Sequence, residues 1–297
     1  MDDKEIESYV KAGRISQEVR EYIKEVVRPG VKLVELAEKI HGKIEELDGK
    51  AAFPVNFAID DVAAHFHPNL DDEQVARGLL KVDFGIHVDG FIADSAVSLD
   101  LTDDNEHKEL IESAELALSN ALELLEKDPT LDEIGSTIQE AIESKGFSPV
   151  VNLSGHSLDQ YKIHSGITIP NYGNGHDASL PSGGFAIEPF ATTGEGKIYS
   201  GEGGNIYELI EKKSVRSPMA RKVLGFVLEK FQTLPFSMRD VEKEFGKMAR
   251  IAMKELVNSG VFEHHAMLIE KSHKPVAQAE HTFVKKESGE VVVTTRG

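Results

Sequence analysis

Two stretches, residues 79–88 and 91–99, alternate around Asp89-Gly90, and they constrain this chain's fold more than any other feature. Asp-Gly between two such runs specifies a two-residue hairpin turn. With that turn, Val88 faces Phe91, Ile86 faces Ala93, Gly85 faces Asp94 and Asp83 faces Ala96. Strand side chains alternate between faces, so Asp83 and Asp94 share one. They become diagonal neighbours with backbones roughly 7–8 Å apart. Val82, Phe84, Ile92, Ala93 and Val97 surround them, a setting in which two like charges are costly. Partner lysines or arginines, an exposed face, a shared proton or divalent cations would each relieve the repulsion. A cation or a pair of cations fits best.

A cation site needs more donors, and the chain has no cysteine to supply thiolates. Disulfides and thiolate nucleophiles are excluded with it. Oxygen and imidazole donors remain. Four candidates lie in other strand-like text: His156 in Leu153-Ser154-Gly155-His156-Ser157, His164 in Lys162-Ile163-His164-Ser165, Glu188 in Ala186-Ile187-Glu188-Pro189-Phe190, and Glu280 in Gln278-Ala279-Glu280-His281. Each alone reads as a surface-facing strand residue; together with the hairpin aspartates they read as ligands. His87, His176, His264, His265 and His273 have no ligand-like context and read as structural or surface residues. Acidic residues outnumber basic ones 51 to 33, a net charge of −18, which argues against general nucleic-acid or anionic-membrane binding. A charged start, Met1-Asp2-Asp3-Lys4, with no apolar signal core and no membrane-length apolar run, points to a cytoplasmic protein.

The remaining text alternates helical and β-like blocks. Ile6, Tyr9, Val10, Ile15, Val19, Tyr22, Ile23 and Val26 recur at helical spacing until Pro29-Gly30, and a second helix spans about Leu33 to Leu47. Residues 52–59 read as a strand with an irregular start at Pro54. Helices over 104–127 and Leu131 to Ser144 follow the hairpin. Leu33, Glu35, Leu36, Ile40 and Ile44 recur as Leu131, Glu133, Ile134, Ile138 and Ile142, a weak sign of internal duplication. Short β-like segments cover 148–156, 162–170, 184–193 and 196–200. From about Asn205 to Glu270 the text turns helical, with Met219–Thr233 and Met238–Val257 as examples. Strand-like stretches return at 275–286 and 290–295. The last strand is expected to rejoin the main sheet and bury the C-terminus.

Taken together, Lys81-Val82-Asp83-Phe84-Gly85-Ile86-His87-Val88-Asp89-Gly90-Phe91-Ile92-Ala93-Asp94, the Gly155-His156 step, Ala186-Ile187-Glu188-Pro189-Phe190 and Ala277-Gln278-Ala279-Glu280-His281-Thr282 resemble the methionine aminopeptidases of the pita-bread metallopeptidase family. The order Asp, Asp, His, Glu, Glu is that family's dinuclear metal site. The block between Glu188 and Glu280 resembles the insertion of the type 2 branch, and the short N-terminus resembles the archaeal form. The resemblance implies an α+β pita-bread fold: two related α/β halves around a mostly antiparallel sheet. Residues 1–204 and 271–297 would form the catalytic domain and 205–270 a helical insertion.

The same resemblance assigns roles. Asp83 would bind one metal, Asp94 and Glu280 both, and His156 and Glu188 the second. Four carboxylates would balance two divalent ions of Co, Mn, Fe or Zn. His65 and His164 would contact substrate, Phe53 and Ile163 would line the methionine pocket, and Glu188 would also shuttle a proton. The reaction would be removal of the initiator methionine from nascent chains with a small second residue, by a hydroxide bridging the ions. The resemblance leans to a monomer and leaves ribosome contact open. Proline dipeptidases of the same fold carry an extra N-terminal domain, for which the chain ahead of residue 53 has no room. Non-catalytic binding relatives lose ligands, whereas all five positions are filled here.

Overall fold

The computed structural model describes residues 1–296. Helix α1 (Asp3–Val26) opens the chain. Asp2 accepts from the Lys4 and Glu5 amides, and the Glu5 carboxylate accepts from the Asp2 amide, so the first turn's free donors are satisfied. Tyr9, Ile15, Val19 and Ile23 bury one face of α1; Leu33, Leu36, Ile40 and Ile44 do so in α2 (Leu33–Glu46). Both cover a four-stranded antiparallel sheet of Lys50–Ala51, Asn56–Ile59, Leu79–Val88 and Phe91–Asp100. Phe57, Val82, Phe84 and Ile86 meet the helices in this half's core. Asp89 (φ 53°) and Gly90 (φ 90°) both take the positive φ that a type I′ turn requires, and the hairpin pairs as its sequence dictates.

The second half has the same make-up. Helices α3 (Lys108–Leu124) and α4 (Leu131–Ser144) pack on a five-stranded antiparallel sheet. Its order is Val291–Val293, His281–Lys285, Gly183–Ile187, Ser154–Leu158 and Thr168–Pro170. Ile134, Ile138, Phe185 and Phe283 share its core. The C-terminal strand does rejoin this sheet, and Thr294 and Thr295 are buried behind it. An isolated antiparallel bridge between Ala96 and Glu280 joins the two halves, flanked by hydrogen bonds of Thr282 with Asp94 and of Ser98 with Gln278. A small sheet of Val276–Gln278, Phe190–Thr192 and Ser148–Pro149 lies beside that crossing.

The stretch from Asn205 to Glu270 is less helical than its text. Ile198–Leu209 and Phe262–Glu270 form a long antiparallel pair, extended on one side by Phe236–Ser237 and on the other by Val62–Ala64. Helices α5 (Pro218–Lys230), α6 (Met238–Phe245) and α7 (Ala249–Asn258) sit between those strands in sequence. The single helix expected over Met238–Val257 is broken at Gly246, whose φ of 71° ends α6. Likewise, the strand read over 52–59 begins only at Asn56, because Pro54 has no N–H to give a ladder. The helix read over 104–127 runs as α3 and a terminal 3₁₀ turn, Leu125–Lys127. Among the described residues, no helix is long and apolar enough to cross a membrane.

Candidate metal centre and substrate pocket

The hairpin register sets Gly85 opposite Asp94 and Asp83 opposite Ala96, so both aspartates lie on one face. Asp94 is held from the other half. Its amide donates to Thr282 Oγ1 (2.7 Å), and that hydroxyl donates back to the Asp94 carbonyl (2.8 Å). Glu280 follows the short strand Val276–Gln278 and meets Ala96 at the inter-half bridge. His156 lies on Ser154–Leu158, paired with Ala186 of the strand that ends just before Glu188. Asn171, fully buried, donates to the Leu153 (3.1 Å) and Glu188 (3.2 Å) carbonyls and ties those segments together.

These elements converge. Asp94, His156 and Glu280, all buried, each offer a ligand atom within 4.8 Å of the others. His156 Nε2 lies 3.5 Å from Glu188 Oε1 and 3.6 Å from Asp94 Oδ2. Gln278, which the sequence did not single out, reaches Glu188 Oε2 (3.4 Å) and Glu280 Oε2 (3.5 Å) through Nε2. Asp83 stands outside the tight trio but lines the same cavity. Burial pushes the Asp83 carboxyl up to about 7. Burial, reinforced by the neighbouring carboxylates, raises Asp94, Glu188 and Glu280 well above the usual carboxylate range. Burial pushes the His156 imidazole down to about 3, leaving it neutral and able to ligate.

The donor set fits divalent cations. Asp83 Oδ1, Asp94 Oδ1 and His156 Nδ1 are buried without hydrogen-bond partners. Among the described residues, no lysine or arginine forms an ion pair with any of the four carboxylates. Asp94 and Glu280 are buried and Asp83 and Glu188 half-buried, and four such acids without an ion-pair partner must hold protons or bind cations. Oxygen donors with one imidazole and no sulfur suit borderline or hard divalent ions.

The cluster forms one wall of a cavity of about 400 Å³. Phe53, Ile163, Ile206 and Leu268 supply apolar lining. His65 and His164 are there too. The His164 ring lies 4.4 Å from that of His156 and is solvent-exposed at the cavity edge. His65 has φ 67°, a left-handed conformation uncommon outside glycine, and Gly204 packs on its carbonyl where no Cβ would fit. Burial, then His265 and His164, push the His65 imidazole down to about 4.

The pocket also corrects the reading of His265. Far from being a structural or surface residue, its ring stands 5.5 Å from His65, with Nε2 3.3 Å from Glu208 Oε2, and both His265 and Glu208 line the cavity. Reading residues 205–270 as helical hid this pair. The short apolar run Ala266-Met267-Leu268-Ile269, which suits a strand as well as a helix, was the available signal. His67, to which no role was given, is buried with Nδ1 2.8 Å from the Val55 carbonyl.

The profile of metallopeptidase family M24 matches residues 7–233 of this chain. The chain belongs to that family. Among similar M24-type sequences, a methionine aminopeptidase of Methanocaldococcus jannaschii is 40% identical over 298 residues, 98% of this chain and all of that one. One of Pyrococcus abyssi is 39% identical over 98% of this chain and 99% of its own. The crystal structure of a methionine aminopeptidase from Thermotoga maritima superposes with a TM-score of 0.72 at 20% identity, covering all of this chain and 98% of its own. The two helix-covered halves are thus the pita-bread fold that the sequence led us to expect. M24 membership carries divalent-metal chemistry with it and fits a nest of acids with which, among the described residues, no lysine or arginine forms an ion pair.

Proposed function

We propose that this chain is a methionine aminopeptidase of the type 2 branch, a hydrolase that removes the initiator methionine from nascent chains with a small second residue. The observation that carries the reading is the meeting of Asp94, His156 and Glu280 within 4.8 Å on one wall of an apolar-lined cavity. Near-full-length identity to methionine aminopeptidases supports it.

Asp83 would hold one divalent ion, Asp94 and Glu280 both ions, and His156 with Glu188 the second. When bound, such ions (Co, Mn, Fe or Zn) supply Lewis acidity and a water whose pKa falls toward about 7. The chain's own groups do the rest. Phe53 and Ile163 enclose an unbranched apolar side chain and exclude water from it. His65 and His164 line the same cavity, His164 with its ring 4.4 Å from that of His156, where a ring N–H can donate to the scissile carbonyl. His65 is suited to that as a neutral imidazole. Glu188, at the cavity surface beside His156, can take a proton and pass it to the leaving amine.

Residues 1–204 and 271–297 would act as the catalytic domain, with 205–270 as the insertion of the type 2 branch; the strands at Ile206–Leu209 and Phe262–Glu270 carry His265 and Glu208 from that insertion to the pocket. A cytoplasmic monomer acting on nascent N-termini, open to ribosome contact, fits this reading.

The test is metal-stripped protein reconstituted with Mn²⁺ or Co²⁺ and offered Met-Ala-Ser and an Xaa-Pro dipeptide. Methionine release with about two ions per chain is expected. Turnover of the Xaa-Pro dipeptide alone would make the chain a proline dipeptidase. No turnover with any divalent ion would make it a non-catalytic relative.

A further inference from the structure

Helix α1 carries a polar stripe where a core-facing helix should be apolar. Ser16 and Arg20 point at the rear of the ligand wall, and Gln17 points at the C-terminal end of the chain. Ser16 Oγ, fully buried, lies 3.0 Å from Ser95 Oγ, next to Asp94. Gln17 Nε2 donates to the Thr294 (3.0 Å) and Arg296 (3.1 Å) carbonyls at the C-terminal end. Arg20 does something different. Its Nη1 donates to the Ala96 carbonyl (3.0 Å) and its Nη2 to the Glu280 carbonyl (2.7 Å). Those two residues form the isolated backbone bridge between the two halves.

We propose that Arg20 is a positioning residue for the metal centre: by clamping both carbonyls of the Ala96–Glu280 crossing, its planar guanidinium fixes the separation of the Asp94 and Glu280 carboxylates. The inference rests on the metal-binding reading above. Its logic is geometric. Asp94 is two residues from Ala96 on one strand, whereas Glu280 is itself the clamped residue. The halves also meet through Thr282 at Asp94 and Ser98 at Gln278, and Arg20 closes the backbone crossing that lies between those two contacts. A guanidinium presents two N–H groups in a rigid fork and can span two acceptors that a lysine ammonium, a point donor on a flexible stem, cannot hold at a fixed spacing. The side chain approaches from behind and reaches backbone only, so it braces the ligands without competing with a cation for their oxygens. A cavity of about 190 Å³, lined by Arg20, Glu115, Ser119, Gln278 and His281, adjoins it. If Arg20 were shortened, water from that cavity could solvate the freed carbonyls, so the fold would survive while the spacing loosened.

The experiment compares wild type, Arg20→Lys, Arg20→Gln and Gln17→Ala. Gln17→Ala loosens the same helix through contacts that do not touch a ligand segment. Metal-stripped proteins are titrated with Mn²⁺ by calorimetry, Co²⁺ ligand-field absorbance reports geometry, and thermal melts report stability. Partners that orient metal ligands typically matter about 10–100-fold in affinity. Both Arg20 variants should therefore bind Mn²⁺ at least about tenfold more weakly, with an altered Co²⁺ spectrum. Their kcat for Met-Ala-Ser should fall while KM stays near wild type, because Phe53 and Ile163 are untouched. Gln17→Ala should melt earlier yet keep wild-type Mn²⁺ affinity.

Unchanged affinity and spectrum in both Arg20 variants would overturn the inference and leave the metal reading standing. So would tighter Mn²⁺ binding by Arg20→Gln, since that result means that Arg20 acts only as a repelling charge. Equal weakening by Gln17→Ala would reduce Arg20 to general stability. Should wild type itself fail to bind Mn²⁺ or Co²⁺, the metal reading falls, and this inference with it.

Discussion

Replacing Asp83 by asparagine should stabilise the metal-stripped protein at neutral and alkaline pH and leave it unchanged in acid. In the fold, burial raises the Asp83 carboxyl from 3.8 to about 7. In the unfolded chain it ionises near its ordinary value. Between those values the folded state binds the proton and the unfolded state does not, so stability falls as pH rises across the window and stays low above it. At about 1.36 kcal/mol per pKa unit, the full shift corresponds to about 4 kcal/mol. Asp83 keeps some solvent contact, and water screening brings the expectation to about 2–4 kcal/mol. Asparagine keeps the shape and carries no titration. At about 2 °C per kcal/mol, metal-stripped Asp83→Asn should melt about 4–8 °C above wild type at pH 8, and level with it near pH 4. Buried His67 and His156, pushed down to about 3, work in the opposite sense: they add stability as pH rises toward 6.5. They are common to both proteins and cancel in the difference. The measurement is urea or thermal unfolding of both proteins in chelator from pH 4 to 8. Adding Mn²⁺ should reverse the order at pH 8, because the cation replaces the proton and needs the carboxylate. A difference between the two proteins that does not change with pH would refute the argument.

Asp94→Ala, which removes one corner of the ligand trio, should abolish peptide hydrolysis and lower bound metal; full activity would refute its place in the centre. His164→Ala should keep wild-type metal stoichiometry and slow turnover, and loss of metal would show that it is a ligand instead. Gly85 leaves the space occupied by the Phe53 ring, so Gly85→Ala should push that ring into the pocket. An overpacking cost of about 1–3 kcal/mol should appear mostly as a raised KM for methionyl peptides at unchanged Mn²⁺ content. An unchanged KM would exclude Phe53 from the methionine pocket.

Some of this molecule is written locally. A two-residue turn and the period of two in strands set the Asp83–Asp94 relation, and both act within about twenty residues, so the register could be derived before any tertiary contact was known. Helices α1, α2 and α4 are legible for the same reason: Tyr9, Val19 and Ile23, or Leu131, Ile134 and Ile138, repeat at the pitch of their own backbone. Residue chemistry also named His156, Glu188 and Glu280 as candidates, because a bare acid or imidazole in strand-like text needs a reason. Their meeting is another matter. Glu280 approaches Asp94 across 186 residues of sequence, through the Ala96 bridge and the Thr282 hydroxyl, and no periodicity encodes that distance. The wall of His65, His265 and Glu208 escaped the sequence because short apolar runs near 205 and 262 suit helix and strand alike; pairing between Ile198–Leu209 and Phe262–Glu270 made the choice. Arg20 read as one more charge on an amphipathic helix, and only the packing of α1 behind both halves turned it toward two carbonyls. Local backbone geometry thus chose the elements and the donor types, while the burial of two sheets against one another decided which donors share a point in space.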